Sequence, residues 1–149
     1  MKTDRKAEIV AIASKLFREK GYSAVTVRDI AQALDIKAAS LYNHISSKQE
    51  ILHLMIINIA EQYTNTISEI LDSSETTLSK LQRVIKLHID ITVENPDAMA
   101  SLNNDWMHLQ EDDLKYFLKM REEYEQKFRI IIKNGIEQGE LKNHNAEVM

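Results

Sequence analysis

Three glycines and one proline in 149 residues leave this chain almost no means of turning sharply. A chain so poor in breakers is expected to run in long helices. Nowhere does it hold four or more residues of strict apolar–polar alternation bounded by turns, the signal of a strand, so the expected fold class is all-α. There are no cysteines, which excludes disulfides, thiolate metal sites and a cysteine nucleophile, and fits a reducing cytoplasm. The N-terminus MKTDRKAEIV is charged throughout and has no apolar h-region, and no apolar run approaches the ~18 residues that span a bilayer. A cytoplasmic protein with no membrane partner is the expectation.

The net charge of −4 hides an asymmetry. Residues 1–50 hold nine Lys/Arg against six Asp/Glu, whereas residues 51–149 hold ten against seventeen. A cationic contact module joined to an acidic body is the organisation this implies, with domains at 1–50 and 51–149.

The apolar periodicity divides the chain further. Ile9, Ile12, Ala13, Leu16 and Phe17 fall at i, i+3, i+4, i+7 and i+8, one stripe of a helix, and Gly21 is expected to end it in the left-handed conformation. Thr26 and Asp29 form the pattern of a capping box, opening a second helix that buries Val27, Ile30, Ala31 and Leu34. Asp35-Ile36 is the turn. A short helix follows from Lys37 to His44, with Leu41 and Ile45 inward. Ser47-x-x-Glu50 reads as a second capping box, opening a helix from Lys48 to Leu71. At about 1.5 Å per residue this helix is ~36 Å long.

A fifth helix fits Leu78 to Val93, with Leu81, Val84, Ile85, His88, Ile91 and Thr92 on one side. Asn95-Pro96 stops it and starts a short helix, Asp97 to Met107. A last long helix runs from Asp112 to Gln138 with the stripe Leu114, Phe117, Leu118, Arg121, Tyr124, Phe128, Ile131, Ile132 and Ile136, and Gly139 as its cap.

Three short helices with tight turns are compatible with a helix-turn-helix, in which one helix braces the phosphate backbone while the next presents its first residues to base edges. The segment from Lys37 to His44 suits the second role. Ala38 and Ala39 are small enough for close approach and can meet a thymine methyl. Asn43 can pair with adenine, and Ser40 can serve a base or a phosphate. Lys37, Tyr42, His44 and Lys48 are placed to touch phosphates; packing in the core is the competing use of Tyr42.

The run Thr26-Val27-Arg28-Asp29-Ile30-Ala31, with Leu34, Ile36, Ser40-Leu41-Tyr42-Asn43-His44 and Ser47-Lys48-Gln49-Glu50-Ile51-Leu52, resembles the DNA-binding domain of the TetR family. Ala13, Phe17 and Gly21-Tyr22 resemble that family's first helix, so the likeness covers about residues 6–55. It implies that residues 37–44 form the recognition helix, that Tyr42 and Lys48 contact phosphates, and that Thr26 and Arg28 hold the second helix on the backbone. In the family a glycine commonly ends the second helix where Asp35 stands here, and an aromatic is usual at the place of Ile45.

Residues 51–149 resemble the family's regulatory domain in outline, which implies a small-molecule effector, a homodimer and a palindromic double-stranded DNA operator, with repression as the usual action. The candidate effector residues are Trp106, Met107, Phe117, Met120 and Tyr124, all of which also fall at core-packing positions. Asn95-Pro96 and Gly135…Gly139 resemble the pattern of members that sense acyl-CoA esters, so an apolar or acyl-CoA-like effector is expected. The usual dimer helices are expected to lie beyond Met149. Self-association through the faces bearing Phe117, Tyr124, Phe128 and Ile132 is therefore expected. A rival reading is a truncated helical interaction module, or a paralogue that does not bind DNA by itself.

No enzyme is expected: the sequence has no nucleophile elbow, no HExxH and no phosphate-cradling glycine loop. No cofactor or metal is expected either. His88 reads as a satisfied core histidine, and His108, Glu111, Asp112 and Asp113 as a solvated turn.

Overall fold

The structure, a computed structural model, describes residues 4–142. Its helices are α1 (Arg5–Lys20), α2 (Val27–Ala33), α3 (Ala38–Leu41), α4 (Lys48–Asp72), α5 (Thr77–Glu94), α6 (Pro96–Asn104) and α7 (Glu111–Glu137). Short 3-10 turns lie at Tyr22–Ala24 and Trp106–His108, and there is no strand among the described residues. The all-α class is as expected. No helix among the described residues is long and apolar enough to cross a membrane.

The chain forms two compact units. The first takes the residues up to Ile59 together with Asn95–Lys115, and the second takes Ala60–Glu94 with the residues from Tyr116 onward. The charge boundary at residue 50 falls in the first turn of α4, and the first unit includes α6.

In the first unit, Ile9, Ala13 and Phe17 of α1, Ile30 and Ala31 of α2, Leu41 of α3, and Ile51, Leu52, Met55 and Ile56 of α4 are all buried. The Phe17 ring meets Tyr22 edge-on at 5.0 Å. Asp97 at the start of α6 accepts from Arg18 Nη1 at 2.9 Å, which ties α6 to the end of α1. Pro96 takes the first helical position, where its missing N–H costs nothing.

Two caps differ from expectation. Gly21 has φ 83° and ψ 145°, a positive φ with an extended ψ, because the chain leaves the helix straight into the 3-10 turn. Its N–H still bonds the Phe17 carbonyl at 2.8 Å. At the head of α4, Ser47 Oγ accepts the Glu50 N–H at 3.2 Å, but the Glu50 carboxylate returns to Ser46 rather than Ser47. It accepts from the Ser46 N–H at 2.6 Å and hydroxyl at 2.9 Å, while its other oxygen lies 2.9 Å from Lys6 Nζ of α1. That ion pair and the Ser46 bonds share one carboxylate, so it leans toward α1 and not over its own N-cap.

The second unit packs Ile67, Ile70, Val84 and Ile131 into a core, with Leu71, Leu81, Tyr124 and Phe128 against it. Gly135 of α7 is there because nothing larger fits: a Cβ would lie 2.5 Å from the buried Thr77 methyl. The expected self-association face is corrected. Phe117 and Ile132 are buried, and Tyr124 and Phe128 pack against the core of the second unit, so these four residues do not form an open apolar face. Ile85, expected inward on α5, is exposed, as are Leu78, Ile89 and Val93. Leu118 of the α7 stripe is exposed too.

The Ser46 N–H and the Lys6 ammonium hold the Glu50 carboxyl at about 2, below its ordinary 4.5. A group whose folded pKa is depressed gives stability that is fully present above 4.5 and lost as pH falls through 2. Denaturant midpoints taken across that window are expected to fall more shallowly in Glu50→Gln than in the parent chain. Parallel curves would mean that the contacts of Glu50 do not survive in solution.

Candidate nucleic-acid interface

The Thr26 box is complete. Its Oγ1 accepts the Asp29 N–H at 3.1 Å, and the Asp29 carboxylate accepts the Thr26 N–H at 2.8 Å. That backbone hydrogen bond pulls the Asp29 carboxyl below its usual range. The cap satisfies the Asp29 amide, one of those that a helix start leaves free, and Arg28 stands exposed beside it.

Asp35 ends the turn after α2 at φ 55°, the left-handed region that glycine occupies more readily. Its short carboxylate is among the side chains that tolerate this conformation. The turn then brings Lys37 to the N-cap of α3, with the Ser40 N–H on its carbonyl at 2.9 Å.

Helix α3 is one turn long, and its anchors are Leu41 and, beyond it, Ile45, both inward as the spacing requires. The amides from Ser40 to Ile45 all donate within the segment. Reading by this element therefore falls to side chains. Lys37, Ala39, Ser40, Asn43 and His44 are exposed, and Ala38 is half-buried. Tyr42 is 53% exposed, which removes it from the core and leaves its hydroxyl outward-available. The fold places eight of the ten expected residues on exposed or half-exposed positions of α3, its flanks and α2, with Thr26 capping α2. The spacing missed Gln32, exposed four residues after Arg28. Gln32 lines a shallow depression with Arg28, Ala31, Asp35, Ile36, Lys37 and Ala38. The i, i+4 relation to Arg28 was the available signal.

Lys48, the first residue of α4, is half-buried. Its Nζ donates to the carbonyls of Tyr22 at 2.9 Å and Val25 at 3.1 Å, and lies 4.1 Å from the Tyr22 ring centroid. Burial lowers its pKa. His108, from the turn after α6, stacks on the other partner of this cluster, the Tyr22 ring, at 5.1 Å and 24°.

The expected effector residues divide between the units. Trp106 and Met107 lie in the first, where Met107 is half exposed. Phe117 and Met120 are buried in the second. There Tyr124 Oη lies 2.6 Å from His88 Nε2, and both rings pack against Tyr63. Burial pushes Tyr124 up to about 12 and His88 down. Among the described residues no group of three His, Asp or Glu side chains is gathered as a metal site would need.

Residues 9–55 match the profile described as "Bacterial regulatory proteins, tetR family", and residues 74–149 match "Tetracyclin repressor-like, C-terminal domain". The chain is 28% identical over 147 residues to the HTH-type transcriptional repressor KstR2 of Rhodococcus jostii, covering 95% of this chain and 70% of that protein. It superposes with a TM-score of 0.82 and 29% identity on the TetR family transcriptional regulator PfmR from Thermus thermophilus, covering 97% of this chain and 78% of that one. On the ketosteroid transcriptional regulator KstR2 of Mycobacterium tuberculosis the TM-score is 0.90 at 22% identity, a likeness of fold, with 99% and 76% covered.

Asp35 combines a left-handed φ with a negative charge in the depression that holds Arg28 and Lys37. Asp35→Gly is expected to raise stability by about 1 kcal/mol through relief of the backbone and to tighten DNA binding. Asp35→Asn keeps a side chain that tolerates the conformation, so it is expected to tighten binding with little change in melting temperature. Thermal melts and DNA titrations on the two variants separate the effects; unchanged affinity in both would remove the charge from the interface.

Proposed function

The chain belongs to the TetR family of bacterial regulatory proteins, and on that premise we propose that it is a cytoplasmic, ligand-responsive repressor whose dimer covers a palindromic operator. As a member of that family it is a DNA-binding transcription regulator and not an enzyme. The observation that carries the proposal is the outward face of α3 and its flanks, where Lys37, Ala39, Ser40, Tyr42, Asn43 and His44 stand exposed over a buried Leu41 anchor.

In this reading Thr26, Arg28, Tyr42 and His44 meet the backbone, and Lys37, Ala38, Ala39, Ser40 and Asn43 meet base edges. Lys48 serves the same interface from inside. Its ammonium joins the start of α4 to the carbonyls just before the Thr26 cap, and so sets where α2 and α3 lie.

The proposed domain roles follow the charge division, DNA binding in residues 1–50 and effector binding with dimerisation in 51–149. The effector we infer is either an apolar molecule or an acyl-CoA-like one, and Phe117, Met120 and Tyr124 of the second unit are expected contacts of its apolar part. The description of the M. tuberculosis neighbour as a ketosteroid regulator supports an apolar class. Helix α4 contributes residues to both units and is continuous across Ile59–Ala60. An effector favouring one setting of it shifts the population away from the DNA-competent state.

Binding to the DNA upstream of the chain's own gene, measured at two salt concentrations, tests the reading: affinity is expected to fall steeply with salt. Asn43→Ala and Lys37→Ala are expected to change the selected consensus, at ~1–3 kcal/mol for each bidentate hydrogen-bonded pair removed. Salt-insensitive binding, or one consensus for all three proteins, would overturn it.

A further inference from the structure

The depression between α2 and α3 joins residues of both helices: Arg28, Gln32 and Asp35 on one side, Lys37 and Ala38 on the other. Arg28 and Gln32 lie one turn apart on α2 and share a face. Lys37 is the N-cap residue of α3, and Ala38 is its first helical residue. In the operator-binding reading Arg28 meets the DNA backbone, and Lys37 and Ala38 meet base edges. DNA held at those points lies over the depression, and Gln32 stands exposed between them.

The polar side chains here are uncommitted. Other cations of the first unit pair within the chain: Arg5 with Glu8, Lys6 with Glu50 and Arg18 with Asp97. Among the described residues no ion pair or side-chain hydrogen bond engages Arg28, Gln32, Asp35 or Lys37. Two cations suit a phosphate, but the Asp35 carboxylate in the same depression repels one. A base edge carries no net charge and meets no such repulsion. Gln32 is the neutral polar member, with an amide that both donates and accepts. Those two groups match the major-groove edge of adenine, which offers N7 as an acceptor and its N6 amino group as a donor. Guanine offers two acceptors there, cytosine a donor, and thymine an acceptor with a methyl group, so each leaves half of the amide unmatched.

We propose that Gln32 reads an adenine, its Nε2–H group donating to N7 and its Oε1 accepting from the N6 amino group. The adenine stands beside the position that Lys37 sets, because both side chains line one depression. This rests on the operator-binding reading above and adds to it a specificity residue outside the recognition helix.

Selection of bound sequences from a random DNA pool tests it, with the full parent chain beside Gln32→Ala and Gln32→Glu. The parent is expected to return an adenine beside the position that Lys37→Ala relaxes. Gln32→Ala is expected to lose that preference by roughly tenfold. It is expected to keep the parent's salt dependence, since a neutral amide releases no counterion. Gln32→Glu is expected to prefer cytosine there, whose N4 amino group donates to a carboxylate. Placing 7-deaza-adenine at that position, which removes the N7 acceptor, is expected to weaken binding by the parent and not by Gln32→Ala. The parent's response to that base stands as a test even where a variant fails to fold. One consensus for all three proteins, an equal loss for every sequence in Gln32→Ala, or a parent indifferent to the altered base would overturn the proposal while leaving operator binding intact. A parent chain that selects no sequence would overturn both.

Discussion

The ammonium of Lys48 lies over the Tyr22 ring and donates to the carbonyls of Tyr22 and Val25, and the geometry of the head depends on that contact. Val25 precedes Thr26, whose cap starts α2. The turn at Asp35 then aims α3. One half-buried cation therefore joins the first residue of α4 to the segment from which the recognition element hangs. The contact is favourable because the carbonyls replace the water shed on burial and the ring face adds its own attraction. Tyr22 is held in turn by Phe17 on one side and His108 on the other, so both α1 and the turn after α6 bear on the clamp.

Much of the head was legible in the sequence because its signals are local. The Thr26–Asp29 box, the inward Leu41 and Ile45, and Pro96 at the start of α6 each follow from residues within a turn of one another. What stayed hidden depends on distant partners. Nothing near Glu50 announces that Lys6 will compete for its carboxylate, and nothing in Asp97 announces Arg18. The inclusion of α6 in the first unit was hidden for the same reason. Lys48 was the most instructive residue. Its type and place at a helix start match a phosphate anchor, and only the fold brings two carbonyls within reach of it.

The second unit was harder to read because periodicity reports which residues share a face but not which face turns inward. Helix α5 has apolar residues on both sides, and counting alone put Ile85 with Val84. Along α7 the periodicity found Phe117 and Ile132, which are buried, but it put Leu118 on the same stripe, and Leu118 is exposed. Polar groups followed the same pattern. His88 was expected as a satisfied core histidine; it is hydrogen-bonded, but from an exposed position, and its partner, Tyr124, lies 36 residues away on another helix.

The central question is whether Lys48 works by holding the head or by touching a phosphate. The measurement that separates the two is the salt dependence of operator binding by Lys48→Met beside its melting temperature. If the ammonium is a clamp, the variant binds every sequence more weakly, melts lower and keeps the parent slope of log affinity against log salt. A slope shallower by about 0.9, the share of one released phosphate contact, with an unchanged melting temperature, would contradict it and put the ammonium on the DNA.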